Sequence, residues 1–181
     1  MQARGPLMIE HRLIERMINV VKHTLESSEQ TQAIDPFFVD TAVDFMRMYA
    51  DRTHHGKEED ILFRELQKKE LSTEDRLRMD ELIADHIFGR MTTKALVEAN
   101  MRYRTGDEAA LSEVKGHLQT IVDFYPPHIE KEDVVCFPAF RAYFSEEEDQ
   151  AMLAEFWEFD QKMIHEKYTA VVKESELKEQ L

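Results

Sequence analysis

Apolar residues recur along most of the chain at alternating steps of three and four, the spacing of one face of an α-helix. Leu7, His11, Ile14, Ile18, Val21 and Leu25 form the first such stripe. It predicts a helix that ends in the polar stretch SSEQTQ. Asp35 is suited to cap a second helix, with Pro36 in its first turn, and the pattern carries that helix to about Lys69. Ser72 or Thr73 caps a third, with Glu74 and Asp75 where acids complement the helix dipole. Thr105-Gly106-Asp107 breaks the chain. A fourth helix follows and is expected to be interrupted or bent at Pro126-Pro127. Ser145, before Glu146, Glu147 and Glu148, opens a fifth, whose stripe reads Leu153, Trp157, Ile164, Tyr168 and Val171. No stretch alternates as a strand does. The pattern predicts an all-α fold: a single domain over residues 1–181, an up-and-down four-helix bundle with an additional C-terminal helix.

Composition agrees. Only five Gly and five Pro occur in 181 residues, few for a sheet-and-turn protein. No apolar run approaches the roughly 20 residues needed to cross a bilayer. Charges interrupt the N-terminus where an export signal requires an apolar segment. One cysteine, Cys136, cannot form an internal disulfide, so a reducing cytoplasm is the expected location. The net charge of −14 argues against nucleic acid and anionic membranes as partners.

Two stretches change the picture from architecture to chemistry. HHGKEEDILF at 54–63 and HIEKEDVVCF at 128–137 share the pattern His-x-x-Lys-Glu-acid-x-β-branched-x-Phe. Positions i and i+4 of a helix lie on one face. Each phrase therefore offers an imidazole and a carboxylate side by side: His54 with Glu58, and His128 with Glu132. Such a mixed set suits iron, manganese or zinc better than calcium or magnesium, which prefer oxygen alone. His55 with Glu59 has the same spacing but is out of register with the second phrase. His55 is read as a neighbour able to reach the site.

Counting residues from each turn compares heights across antiparallel helices. His54 and His86 differ by only roughly 6 Å, and His11 and His128 fall near the same level. One layer of the bundle can thus hold His11, His54, His86 and His128 with Glu58 and Glu132. His165, at the edge of the fifth helix's stripe, stands nearly level with His128 and is a further candidate. His23 and His117 lie about three turns away from this layer. A histidine alone on an apolar stripe is usually a core residue with one hydrogen bond, but four on four helices at one height point to a metal. Cys136 and the Met and Phe residues read as core. No nucleophile–base arrangement and no glycine-rich phosphate loop is visible.

These residues resemble the hemerythrin-like family, also called the HHE cation-binding domain. The resemblance is carried by EH at 10–11, HHGKE at 54–58, DH at 85–86 and HIEKE at 128–132, and spans about residues 7 to 140. It implies a non-haem di-iron centre, oxo- and carboxylate-bridged, with Glu58 and Glu132 as bridges and the histidines as terminal ligands. It also implies binding or sensing of O2, or of a related small oxidant such as NO, rather than an enzyme activity. Iron handling, iron–sulfur repair and di-iron oxidase or peroxidase chemistry are the alternatives. The ferritin-like oxidases use Glu-x-x-His, and no histidine here has Glu three residues before it. The chain departs from the oxygen carriers at one position: where they have a second histidine on the third helix, it has Arg90. His55 or His165 is left to supply the fifth imidazole.

Overall fold

A computed structural model describes residues 2–179, with side chains through residue 165 and at Lys167. Five helical rods account for it. Helix α1 is Arg4–Thr31, closed by Gln32 in the left-handed conformation. Helix α2 runs over 36–66 and starts as expected: Asp35 accepts a hydrogen bond from the Phe37 N–H, with Pro36 in the first turn. Helix α3 is Thr73–Arg104, capped by Ser72. Helix α4 runs over 110–141, and helix α5 is Glu146–Glu179. No described helix is long and apolar enough to cross a membrane.

Two local expectations are corrected. Helix α4 is not interrupted at Pro126-Pro127, which lie inside the continuous segment Ala110–Lys131. The irregularity comes later, as a π-helical stretch at Glu132–Cys136. Helix α2 carries two more, Met46–His55 and Glu58–Phe63. All three overlap the repeated phrases. A π turn uses i→i+5 hydrogen bonds, takes more residues per turn and is often found at functional sites.

The second correction concerns α5. It buries Met152, Leu153, Phe156 and Met163, while Trp157 and Ile164 are 68% and 61% exposed. The inward stripe is therefore Met152–Leu153–Phe156–Met163, and Trp157 and Ile164 face outward. Both sets have helical spacing, and only contact with α2 selects between them. Tyr168 and Val171 lie outside the described side chains.

The core is split in two. Ile14, Ile18 and Val21 of α1 meet Val39 and Met46 of α2, Leu96 of α3, and Val114, Leu118 and Ile121 of α4. Toward the opposite end, Leu7, Ile61, Phe63, Met79, Leu82, Phe137, Phe140 and Phe156 form a second cluster. In all four bundle helices the residues between the two cores are the histidines and glutamates of the predicted layer. An apolar lid on each side keeps that layer dry and strengthens every electrostatic interaction within it.

Asp75 closes the distal end. It accepts hydrogen bonds from the Tyr143 hydroxyl at 2.6 Å, the Ser72 hydroxyl at 2.7 Å and Arg78 at 2.7 Å. The Tyr143 and Ser72 hydrogen bonds, with Arg78, hold its carboxyl below the usual range. A depressed folded pKa stabilises the fold above the unfolded value, about 3.9 for Asp, and that contribution fades as pH falls through the folded value. Asp75→Asn is therefore expected to lower the urea midpoint at neutral pH and to differ less from wild type below about pH 3. A constant difference at all pH values would assign the effect to packing.

Candidate metal centre

Each predicted histidine of the bundle is buried: His11 and His86 are 0% exposed, His54 1%, His55 2% and His128 3%. Their rings are in mutual contact, with His11–His54 centroids at 4.5 Å, His55–His86 at 3.9 Å and His86–His128 at 5.4 Å. Two groups of potential ligand atoms result, each within 4.8 Å internally: His11, His54, Glu58 and Glu132 in one, and His55, His86 and His128 in the other.

The two glutamates span the groups. Glu58 Oε1 is 3.5 Å from His54 Nε2, and its Oε2 is 3.3 Å from His86 Nε2. Glu132 Oε2 is 3.1 Å from His11 Nε2, and its Oε1 is 3.4 Å from His128 Nε2 and 3.6 Å from His86 Nε2. One oxygen of each carboxylate thus faces each group. All four of these oxygens are buried without a hydrogen-bond partner, as are Nε2 of His11, His54, His86 and His128. So many convergent unpaired polar atoms cost a great deal unless a cation satisfies them. The donor set fits a transition-metal site on that observation.

The opposite edge of each imidazole explains the rest of the phrase. His54 Nδ1 lies 2.9 Å from Glu10 on α1, and His86 Nδ1 2.7 Å from Glu59 on α2. His128 Nδ1 lies 3.2 Å from Asp85 on α3, and His11 Nδ1 2.8 Å from Asp133 on α4. A carboxylate only accepts, so each Nδ1–H donates and each Nε2 lone pair is left to face the centre. Every bundle helix orients the imidazole of the next, and the fourth closes the ring onto the first. Each of these carboxylates also takes a cation from the same helix as its imidazole: Lys57 on Glu10, Arg90 on Glu59, Lys131 on Asp85 and Arg12 on Asp133. The lysine of the phrase anchors the acid that aims the phrase's own histidine. The acid of the phrase aims the histidine of the following helix.

His55 is held differently. Its Nδ1 is 3.4 Å from Asp51, which is itself bound by Arg90 at 2.7 Å. The wide turns of the π-helical stretch bring both His54 and His55 inward, one to each group. Arg90 stands beside the layer as a clamp on Asp51 and Glu59. His165 is exposed on α5 and belongs to neither group; the shifted stripe of α5 turns it away from the bundle. His23 is exposed and pairs with Glu26.

Burial acts to lower the His11 pKa, but the hydrogen bond to Asp133 and the Glu132 carboxylate outweigh it and push it up to about 10. His86 rises to about 11 in the same way, against burial, through Glu132, Glu58 and Glu59. His55 falls well below its usual value through burial and the neighbouring His86, His54 and His128. Burial would raise Glu132, yet His128, His11 and His86 hold it below the usual carboxylate range. The layer is thus a negative pocket that favours positive charge.

The sequence pattern pairs Glu59 with His55, whereas the structure sets it against His86. Glu10 and Asp85 immediately precede His11 and His86, but each serves a histidine on another helix, so spacing along one helix gives no sign of the role. Substituting such a partner typically costs about 10–100-fold in metal affinity. Asp133→Asn and Glu59→Gln are expected to fall in that range by chelator competition. Unchanged affinity in both would remove the ring from the account of metal binding.

The model of one family, the hemerythrin HHE cation binding domain, matches residues 6–140. Searches of curated proteins and of solved structures gave no match. The matched span covers α2, α3, all but the ends of α1 and α4, and all seven side chains of the two groups. The chain belongs to the hemerythrin HHE cation-binding family, and its buried His/Glu layer fits a metal site.

Proposed function

We propose that the protein holds two iron ions, bridged by Glu58 and Glu132, and uses them to bind or sense O2 or a related small oxidant such as NO. The observation that carries this reading is the span of the two glutamates, each with one oxygen toward each imidazole group. Two-metal sites separate their ions by about 3.5–4 Å, a distance one carboxylate bridges. His11 and His54 would hold one iron, and His55, His86 and His128 the other. Held there in the ferrous state, such a pair would be able to supply two electrons to an oxidant.

The chain's own residues set the rest. The ring of carboxylates fixes the imidazole tautomers. The two apolar cores exclude water from above and below. A cavity of about 120 Å³ opens beside His55, lined by Met46, Gly89, Arg90, Thr93 and Tyr125 among others. A diatomic ligand fits within that space. The His-rich donor set favours ligand binding over the carboxylate-rich chemistry of ferritin-like oxidases.

The test is spectroscopic. Iron-loaded protein, reduced without air, is exposed to O2 and then degassed. A new visible spectrum that reverts on degassing supports binding. Irreversible oxidation with continued consumption of reductant identifies an oxidase and overturns the binding reading. Indifference to both O2 and NO overturns the role altogether.

A further inference from the structure

Helix α5 lies beyond the residues matched by the family model, yet it docks on the part of α2 that carries the site. Ion pairs join α5 to α2 and to the turn that follows it: Lys69–Glu148 at the turn, then the bidentate Arg64–Glu155, Lys57–Asp160 and Asp44–Lys167 along the helix. In three of these pairs both partners are at least partly exposed, and such pairs contribute little. Lys57 is different, because its side chain is 0% exposed. Its ammonium donates to Asp160 of α5 at 2.7 Å and also to Glu10 of α1. Glu10 is the residue that accepts the His54 Nδ1–H. Around this chain of contacts, the Phe156 ring centroid lies 5.9 Å from Lys57 Nζ. Phe159 covers Gly56, where an added Cβ would stand 2.8 Å from the ring's Cζ. Gly56 separates His55 from Lys57, so α5 closes directly over the segment that supplies two imidazoles.

We propose that Asp160 is a positioning residue for the metal centre: through Lys57 and Glu10 it sets the orientation and donor strength of His54, making α5 a latch on the His11/His54 position. The inference rests on the two-metal reading. Lys57 divides its charge between two carboxylates, one on the solvent side and one on the site side. Without the Asp160 charge, Lys57 neutralises Glu10 more completely. Glu10 then accepts less strongly from His54, and the imidazole becomes a poorer donor at Nε2. Among the described residues no hydrogen-bonded chain links the His55/His86/His128 position to α5, and that position is expected to be unaffected.

Cobalt(II) titration of chelator-treated full-length protein tests this, read by visible absorption and by the dissociation constant of each equivalent. The variants are Asp160→Asn, Asp160→Glu and Glu155→Gln, the last as an exposed α2–α5 pair remote from the layer. Asp160→Asn is expected to weaken one of two cobalt equivalents about three- to tenfold and to change that ion's visible bands. Asp160→Glu restores both, and Glu155→Gln leaves both as in wild type. If Asp160→Asn only lowers the thermal midpoint, with both cobalt affinities and spectra unchanged, α5 is a packing element and the proposal is overturned. A wild type that takes up a single cobalt defeats the two-metal reading instead. The latch is then decided by whether Asp160→Asn weakens that one ion.

Discussion

Glu132→Ala is expected to abolish binding of the metal pair, with no tightly bound metal left after desalting. The expectation follows from what the residue touches. One of its oxygens faces His11, and the other faces both His86 and His128. Removing it takes a donor from each group and the charge that most favours a cation there. Glu58→Ala removes the equivalent bridge between His54 and His86 and is expected to do the same. His117→Ala, on α4 but outside both groups, is the control and keeps full metal content. Circular dichroism separates loss of metal from loss of fold. Equal metal content in all three variants would sink the assignment of the bridges.

The second large effect concerns Lys57. The phrase contains a lysine in both copies, and both bind the acid that aims a histidine. Their surroundings differ. Lys57 is 0% exposed and its partner Glu10 11%, whereas Lys131 is 31% exposed and Asp85 29%. Breaking a buried pair strands its partner and costs about 3–5 kcal/mol, while an exposed pair is worth about 0–1 kcal/mol. Lys57→Met leaves Glu10 buried with only the His54 hydrogen bond and leaves Asp160 unpaired from Lys57. It is therefore expected to destabilise the chelator-treated protein by about 3 kcal/mol or more. Lys131→Met is expected to cost about 1 kcal/mol or less. Urea denaturation of both variants decides the point. Equal midpoints would show that the burial of Lys57 carries no special cost.

The fold was largely readable because the bundle helices are apolar on one side only. The stripe from Leu7 to Leu25 admits one inward face, and the structure buries it. On helix α5, Trp157 and Ile164 have the same spacing from Leu153 as a buried stripe would, and compete in the sequence with Met152, Phe156 and Met163. Tertiary contact with α2 decides, and periodicity holds no record of that contact. The paired His-x-x-x-Glu phrases placed His54, Glu58, His128 and Glu132 together, since i and i+4 remain neighbours even where the turn widens. The π-helical stretches themselves left no mark in the residue pattern, so the inward turn of both His54 and His55 was open. The ring from Glu10, Glu59, Asp85 and Asp133 was invisible for a similar reason. Each acid acts on a histidine 27 to 122 positions away, and only the bundle brings them together.

The two imidazole groups and the two carboxylates between them are proposed to share a pair of metal ions. Anomalous diffraction at the iron edge, from crystals of iron-loaded protein, tests this most directly. Two peaks about 3.5–4 Å apart are expected, one beside His11 and His54 and the other beside His55, His86 and His128, with Glu58 and Glu132 between them. A single peak, or peaks away from this layer, would contradict the proposal.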